Sequence, residues 1–151
     1  MLFTGNSEHT VDGKGRLAIA AKHRAGWDKE KDGDAWYAVP WPTGHLRLYT
    51  EKVFMGLADQ EPSSLTPAEE RAGVDTTLFG FAERIEMDAN GRITLPRTLT
   101  EMTGIKGEVV VVGARDRLEV HDKEKWGATV QDRFQSLPDL VRRLQEREKQ
   151  S

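Results

Sequence analysis

Apolar and polar residues alternate in two short runs that share a frame. Arg16-Leu17-Ala18-Ile19 and Arg92-Ile93-Thr94-Leu95 each set two large aliphatic residues two positions apart, the spacing that puts both on one face of a strand. Each run follows the same turn: Asp12-Gly13-Lys14-Gly15 in the first, Asp88-Ala89-Asn90-Gly91 in the second. Gly, or Asn-Gly, accepts positive φ at no steric cost, so each block predicts a hairpin. Val11 and Met87 are the apolar residues before the two Asp, and 7–11 reads as the strand entering the first turn. A short helix follows each copy. Residues 20–26 read as one closed by Gly26; Pro96 stands at a first helical position, where its missing N–H is harmless, and the helix it opens stops at Gly104.

The repetition continues downstream. Residues 35–39 are answered by 108–112 and 46–49 by 118–121, and Thr50 and Asp122 are N-cap candidates for the helices that come next. The offset is 76 at the turns (88 less 12) and 72 at the later strands (118 less 46). The first copy is therefore four residues longer, and the Pro-bearing loop 40–44 is where the pattern puts them. Between the copies, 60–65 is a polar loop, and Thr66-Pro67-Ala68-Glu69 predicts a capping box opening a helix that runs to about Leu78 or Phe79. Leu137, Leu140, Val141 and Leu144 recur at helical spacing, before a charged end over 145–151. That stripe reads either as packing against the body or a neighbouring subunit, or as a helix for a separate partner. The organisation expected is a first repeat over 1–59, a linker and helix over 60–83, a second repeat over 84–136, and a C-terminal helix and tail over 137–151.

Composition narrows the function classes. The chain has 151 residues, 31% of them charged, with no cysteine, which excludes disulfides, thiolate metal sites and a thiol nucleophile. No apolar run is long enough to span a bilayer and the start lacks a signal-peptide pattern, so a cytoplasmic protein is expected. The net charge of -3 argues against coating nucleic acid through global charge. Locally the picture differs: 13–25 carries Lys14, Arg16, Lys22 and Arg24 with no acid among them, a concentration suited to phosphate contact. The second copy offers Asn90, Arg92 and Arg97, with Glu101 nearby. An Arg at a hairpin end can pair with guanine O6 and N7. The bland alternative stands beside it: Asp12 with Arg16 and Asp88 with Arg92 form ion pairs across their turns, and Lys22 and Arg24 line a solvated helix face. The four histidines, His9, His23, His45 and His121, have no zinc-ligand spacing. No nucleophile elbow or phosphate loop is present, so neither catalysis nor a cofactor or metal is expected.

The tandem Asp-x-x-Gly-Arg, with Pro96 and its short helix, resembles the swapped-hairpin DNA-binding domains of the AbrB and MazE type. With the start Met1-Leu2-Phe3-Thr4-Gly5 and with Phe79-Gly80-Phe81-Ala82-Glu83 before the second strand, the chain from Met1 to about Trp126 resembles the MraZ family. The resemblance implies an α+β fold of two pseudo-symmetric swapped-hairpin (AbrB-like) units forming a β-barrel core with peripheral helices. It implies a homo-oligomeric ring that binds double-stranded DNA at short G-rich direct repeats, regulating the division and cell-wall gene cluster as a repressor associated with the nucleoid. The DNA-binding residues expected are Lys14, Arg16, Lys22, Arg24, Asn90, Arg92 and Arg97, with Asp12, Gly15, Asp88 and Gly91 shaping the turns. Neither a membrane nor a small-molecule substrate is expected as a partner. Ala20 departs from the family pattern, standing where Pro96 stands in the second copy. The competing reading is a protein-interaction module of antitoxin type, acting through the C-terminal segment.

Overall fold

The computed structural model describes residues 1–150. Each copy folds as the alternation demands but finds its partners in the other. Strand β1 (Asn6–Thr10) leads through the first turn into β2 (Arg16–Ala18), and β5 (Glu83–Glu86) through the second into β6 (Arg92–Thr94). Beyond them lie β3 (Ala35–Trp41) and β4 (His45–Thr50) in the first copy, β7 (Glu108–Gly113) and β8 (Leu118–Asp122) in the second. β1 pairs with β7 and β5 with β3, so each hairpin crosses to the opposite copy. β4 and β8 pair at the seam. A six-stranded antiparallel sheet in the order β1-β7-β8-β4-β3-β5 results, with a separate ribbon of β2 and β6.

Leu17 sits opposite Ile93 in that ribbon, and both are buried with Ile19 and Leu95. They meet Trp36, Leu46, Leu48, Leu99, Val109, Val111, Leu118 and Val120 in one core shared by both copies. Within its own copy each long-strand pair, β3 with β4 or β7 with β8, is a two-stranded hairpin that is marginal alone, and the exchange adds β5 to the one and β1 to the other.

Helix α1 (Ala21–Arg24) is one residue shorter at each end than the pattern predicts, and Gly26 is not in the left-handed region; Gly104, by contrast, ends α5 (Arg97–Thr103) with φ +70. The extra residues of the first copy are not where the pattern puts them. Thr10 pairs with Glu108, and its counterpart Glu86 (10 plus 76) pairs with Ala35, so the offset has already fallen to 73 (108 less 35) at the start of β3. Three of the four residues lie between α1 and β3, where the first copy alone builds α2 (Lys29–Asp32), capped by the Asp28 carboxylate on the Glu30 N–H. The β3–β4 turn holds only one, since Pro40 and Trp41 belong to β3.

The linker departs in the same way. No capping box forms at Thr66, whose N–H is held by Ser64 Oγ at 3.1 Å; α4 (Glu69–Val74) starts three residues later and runs on as a π-helical turn over Asp75–Phe79. Thr50 precedes α3 (Glu51–Asp59) without giving it a side-chain cap, and the Asp122 carboxylate accepts from the Lys106 N–H at 3.2 Å. Helix α6 (Lys123–Gln150) continues directly from β8 for 28 residues. It carries Phe134, Leu137, Leu140, Val141 and Leu144 exposed along it, so the C-terminal stripe belongs to a projecting helix. No described helix is long and apolar enough to cross a membrane.

Candidate nucleic-acid interface

The two turns are built alike. Asp12 Oδ1 accepts from the N–H groups of Lys14 (3.0 Å) and Arg16 (2.8 Å), and Asp88 Oδ1 from those of Asn90 (2.8 Å) and Arg92 (3.0 Å). The second carboxylate oxygen takes the Arg Nε, at 2.7 Å in the first turn and 2.9 Å in the second. The backbone N–H of the Arg holds each Asp ionised below the usual carboxylate range, against a smaller opposing effect of burial; the side-chain bond adds to it. Gly15 (φ +83) and Gly91 (φ +73) complete the turns. The ion-pair reading and the binding reading are thus not exclusive: Nε is spent on Asp, while each Arg side chain stays about one-third exposed.

The exchange of hairpins decides which residues share a surface. Leu95 N–H donates to Gly15 O (2.8 Å), and Ile19 N–H to Gly91 O (3.0 Å), so each turn rests on the strand end that leads into the other copy's helix. Lys14 and Arg16 therefore lie at the end of the ribbon where α5 begins with Arg97. Asn90 and Arg92 lie at the other end, beside α1. Lys14 and Asn90 are exposed at the two tips. Arg97 is exposed but engages Glu101 at 2.9 Å.

Lys22 and Arg24 do not act as a pair. Arg24 Nε donates to Ile19 O at 2.7 Å, and its guanidinium lies flat on Gly91, where an added Cβ would come within 2.6 Å. That side chain braces the second turn from the first copy's helix. Lys22 remains exposed, its ammonium near Gly5. Ala20, in place of the expected Pro, adopts φ -55 and ψ 142, close to the φ -59 and ψ 135 of Pro96, so the junction keeps its shape.

A second cluster had no signal in sequence spacing. His45 on β4 lies opposite His121 on β8, their rings stacked at 4.6 Å, and Glu119 lies two residues along β8 on the same face. His121 Nε2 donates to Glu119 Oε1 at 2.9 Å; Arg117 Nε donates to Oε2 at 3.0 Å. Arg47 Nε donates to His45 Nε2 at 3.2 Å and stacks on Trp41 at 4.0 Å. Burial pushes His45 down to about 4, the opposing attraction of Glu119 notwithstanding; burial alone would raise Glu119, but the bond from His121 and the nearby His45 and Arg117 bring it to about 2. Only strand register joins these residues, 74 and 76 positions apart in the chain.

Of the aromatic residues, Trp36 is wholly buried and contacts Trp27, while Phe54 stacks on Tyr37 at 4.5 Å. Trp126 is half-buried against His121.

Residues 78–147 match the family model described as MraZ protein, putative antitoxin-like. Curated relatives align over most of the chain. A transcriptional regulator MraZ of Photorhabdus laumondii is 32% identical, with 87% of this chain and 86% of that protein aligned. Proteins of the same name from Yersinia enterocolitica (30% identical; 97% and 96% aligned) and Ligilactobacillus salivarius (29%; 95% and 96%) resemble it similarly.

Proposed function

Because the chain belongs to the MraZ family, we propose that it is a sequence-specific DNA-binding transcriptional regulator. It binds short G-rich direct repeats in the promoter of the division and cell-wall gene cluster and represses that cluster from the nucleoid. The observation that carries this reading is the pair of turns at the ends of the β2–β6 ribbon. In each, the carboxylate is turned inward onto N–H groups and the Arg Nε, and what remains outermost is a donor: Lys14 at one end, Asn90 at the other. With Nε tied to Asp12, the terminal nitrogens of Arg16 are preset for the two acceptors on a guanine edge. Lys14 and Lys22 supply phosphate contacts, which position without specifying.

Each chain offers few such contacts, and an isolated one binds weakly, roughly in the 10⁻⁴ to 10⁻⁶ M range of non-specific association. A homo-oligomeric ring, with the six-stranded sheet and the ribbon forming each subunit's barrel, lays several subunits on successive repeats. Linking them raises avidity by about 10² to 10⁴, and the bound ring excludes polymerase.

The test is a salt titration of binding to a duplex of G-rich direct repeats against a scrambled duplex of equal composition. Arg16→Ala should remove the preference for the repeats. Lys14→Ala should weaken binding to both duplexes and reduce the salt slope by about one. Equal, weak binding to both duplexes, unchanged by Arg16→Ala, would leave Arg16 a turn-stabilising partner of Asp12. It would turn attention to the exposed apolar face of α6 as the surface of an interaction module.

A further inference from the structure

We infer that His45, Glu119 and His121 form a binding site for a borderline divalent transition cation, of which Zn(II) is the probe, at the seam between the two copies. The ligand atoms lie within 4.8 Å of one another, with His45 Nε2 at 3.7 Å and His121 Nε2 at 2.9 Å from Glu119 Oε1. Zinc in a three-ligand set of two imidazoles and one carboxylate takes each donor at about 2.0–2.2 Å. Ligand atoms must then stand roughly 3–3.5 Å apart, so small side-chain rotations close the set.

The backbone favours this. Antiparallel pairing holds His45 directly opposite His121, and the two-residue period of β8 puts Glu119 on the same face. The imidazoles are buried and the carboxylate nearly so, which removes competing water. His45 Nε2 accepts from Arg47 Nε, so it already presents a lone pair rather than a proton. His121 must carry its proton on Nδ1 to present Nε2. Arg117 holds the outer carboxylate oxygen, as the outer partner of a ligating carboxylate commonly does, and Oε1, which accepts from His121 Nε2 at 2.9 Å, turns to the cation once that proton has moved to Nδ1.

Three guanidiniums oppose the cation. Arg117 is neutralised by Glu119 and Asp116. Arg133 lies over the Trp126 ring at 5.3 Å, farther out. Arg47 matters most, because its Nε occupies His45 Nε2 and must swing away on binding. The arrangement therefore makes a distinctive demand: removing the Arg47 charge should tighten metal binding, whereas a purely structural polar cluster would only be weakened.

Zinc is titrated into the full-length protein, followed by calorimetry, thermal melting and the fluorescence of Trp126, whose ring centroid is 4.8 Å from that of His121. One saturable zinc per chain that raises the melting temperature is expected. Glu119→Gln and His121→Gln should abolish it, His9→Gln should leave it unchanged, and Arg47→Gln should tighten it about tenfold. The Arg47→Gln result stands even where a ligand variant fails to fold. Absence of saturable binding in wild type up to about 0.1 mM zinc, or binding that survives in a cooperatively melting His45→Gln/His121→Gln variant, would overturn the inference. So would Arg47→Gln binding zinc no more tightly than wild type.

Discussion

Ala20 and His23 occupy positions that the second copy fills differently, and the pair isolates two physical effects. Position 20 corresponds to Pro96 and position 23 to Leu99, each by the offset of 76. Ala20 already has a proline's dihedral angles, so Ala20→Pro removes freedom only from the unfolded chain and should raise stability by about 0.4–1 kcal/mol in urea unfolding. His23 is buried with Nε2 unpartnered, and burial depresses its pKa. His23→Leu replaces an unsatisfied polar atom with the residue its counterpart uses, and should raise the melting temperature, most clearly at mildly acidic pH. Gly91 shows the opposite: Gly91→Ala forces a Cβ into the Arg24 guanidinium at φ +73 and should cost about 1–2 kcal/mol, measured by the same unfolding curve.

Within the elements, β4 and β8 set the pH response. His45 is lowered from 6.5 to about 4 and Glu119 from 4.5 to about 2. For His45 the unfolded chain takes up its proton first as pH falls, so stability declines between about 6.5 and 4; for Glu119 stability is full above its unfolded pKa and is lost between about 4.5 and 2. Both slopes have the same sign. Urea unfolding free energy should fall steadily from pH 7 to pH 4, and His45→Gln should make that slope shallower, His23 keeping part of it, and should also reduce the loss in the lower window, since His45 helps hold Glu119 down. Helix α5 contributes differently, through packing: Leu99 is fully buried, and Leu99→Ala should cost about 2–5 kcal/mol by the same measure.

The elements were legible in the sequence wherever alternation and a turn signal agreed. Leu17/Ile19 and Ile93/Leu95 face the core as their period requires, and α5 stops at Gly104 because that residue takes the left-handed conformation. The failures share a cause. Thr66-Pro67-Ala68-Glu69 carries every local sign of a helix start, yet α4 opens at Glu69, and local propensity is a weak prior against tertiary context. Asp122 was readable as a cap but serves Lys106, a partner 16 residues away. The His45, Glu119 and His121 cluster depends on strand register alone, which no spacing rule exposes.

At the scale of the whole molecule, the exchange of β1 and β5 makes the copies interdependent. Residues 1–59 lack β5, the strand that β3 pairs with on its outer side, and residues 84–150 lack β1, the outer partner of β7. Each fragment alone should therefore show little cooperative unfolding, while mixing the two should restore the strand signal in far-ultraviolet circular dichroism. Independent folding of either fragment would contradict a shared core. The intact chain should melt in a single transition.

Fusion of the two copies changes what the exchange means. Two separate chains that swapped hairpins would come apart on dilution and would carry identical tips, so whatever they grasped would look the same from either end. Here the tips are tethered, and they have diverged: one presents Gly13-Lys14, the other Ala89-Asn90. A single subunit consequently has a direction. On the proposed track of repeats such a subunit would lie in one orientation and not the reverse, and its neighbours would line up head to tail, all facing the same way.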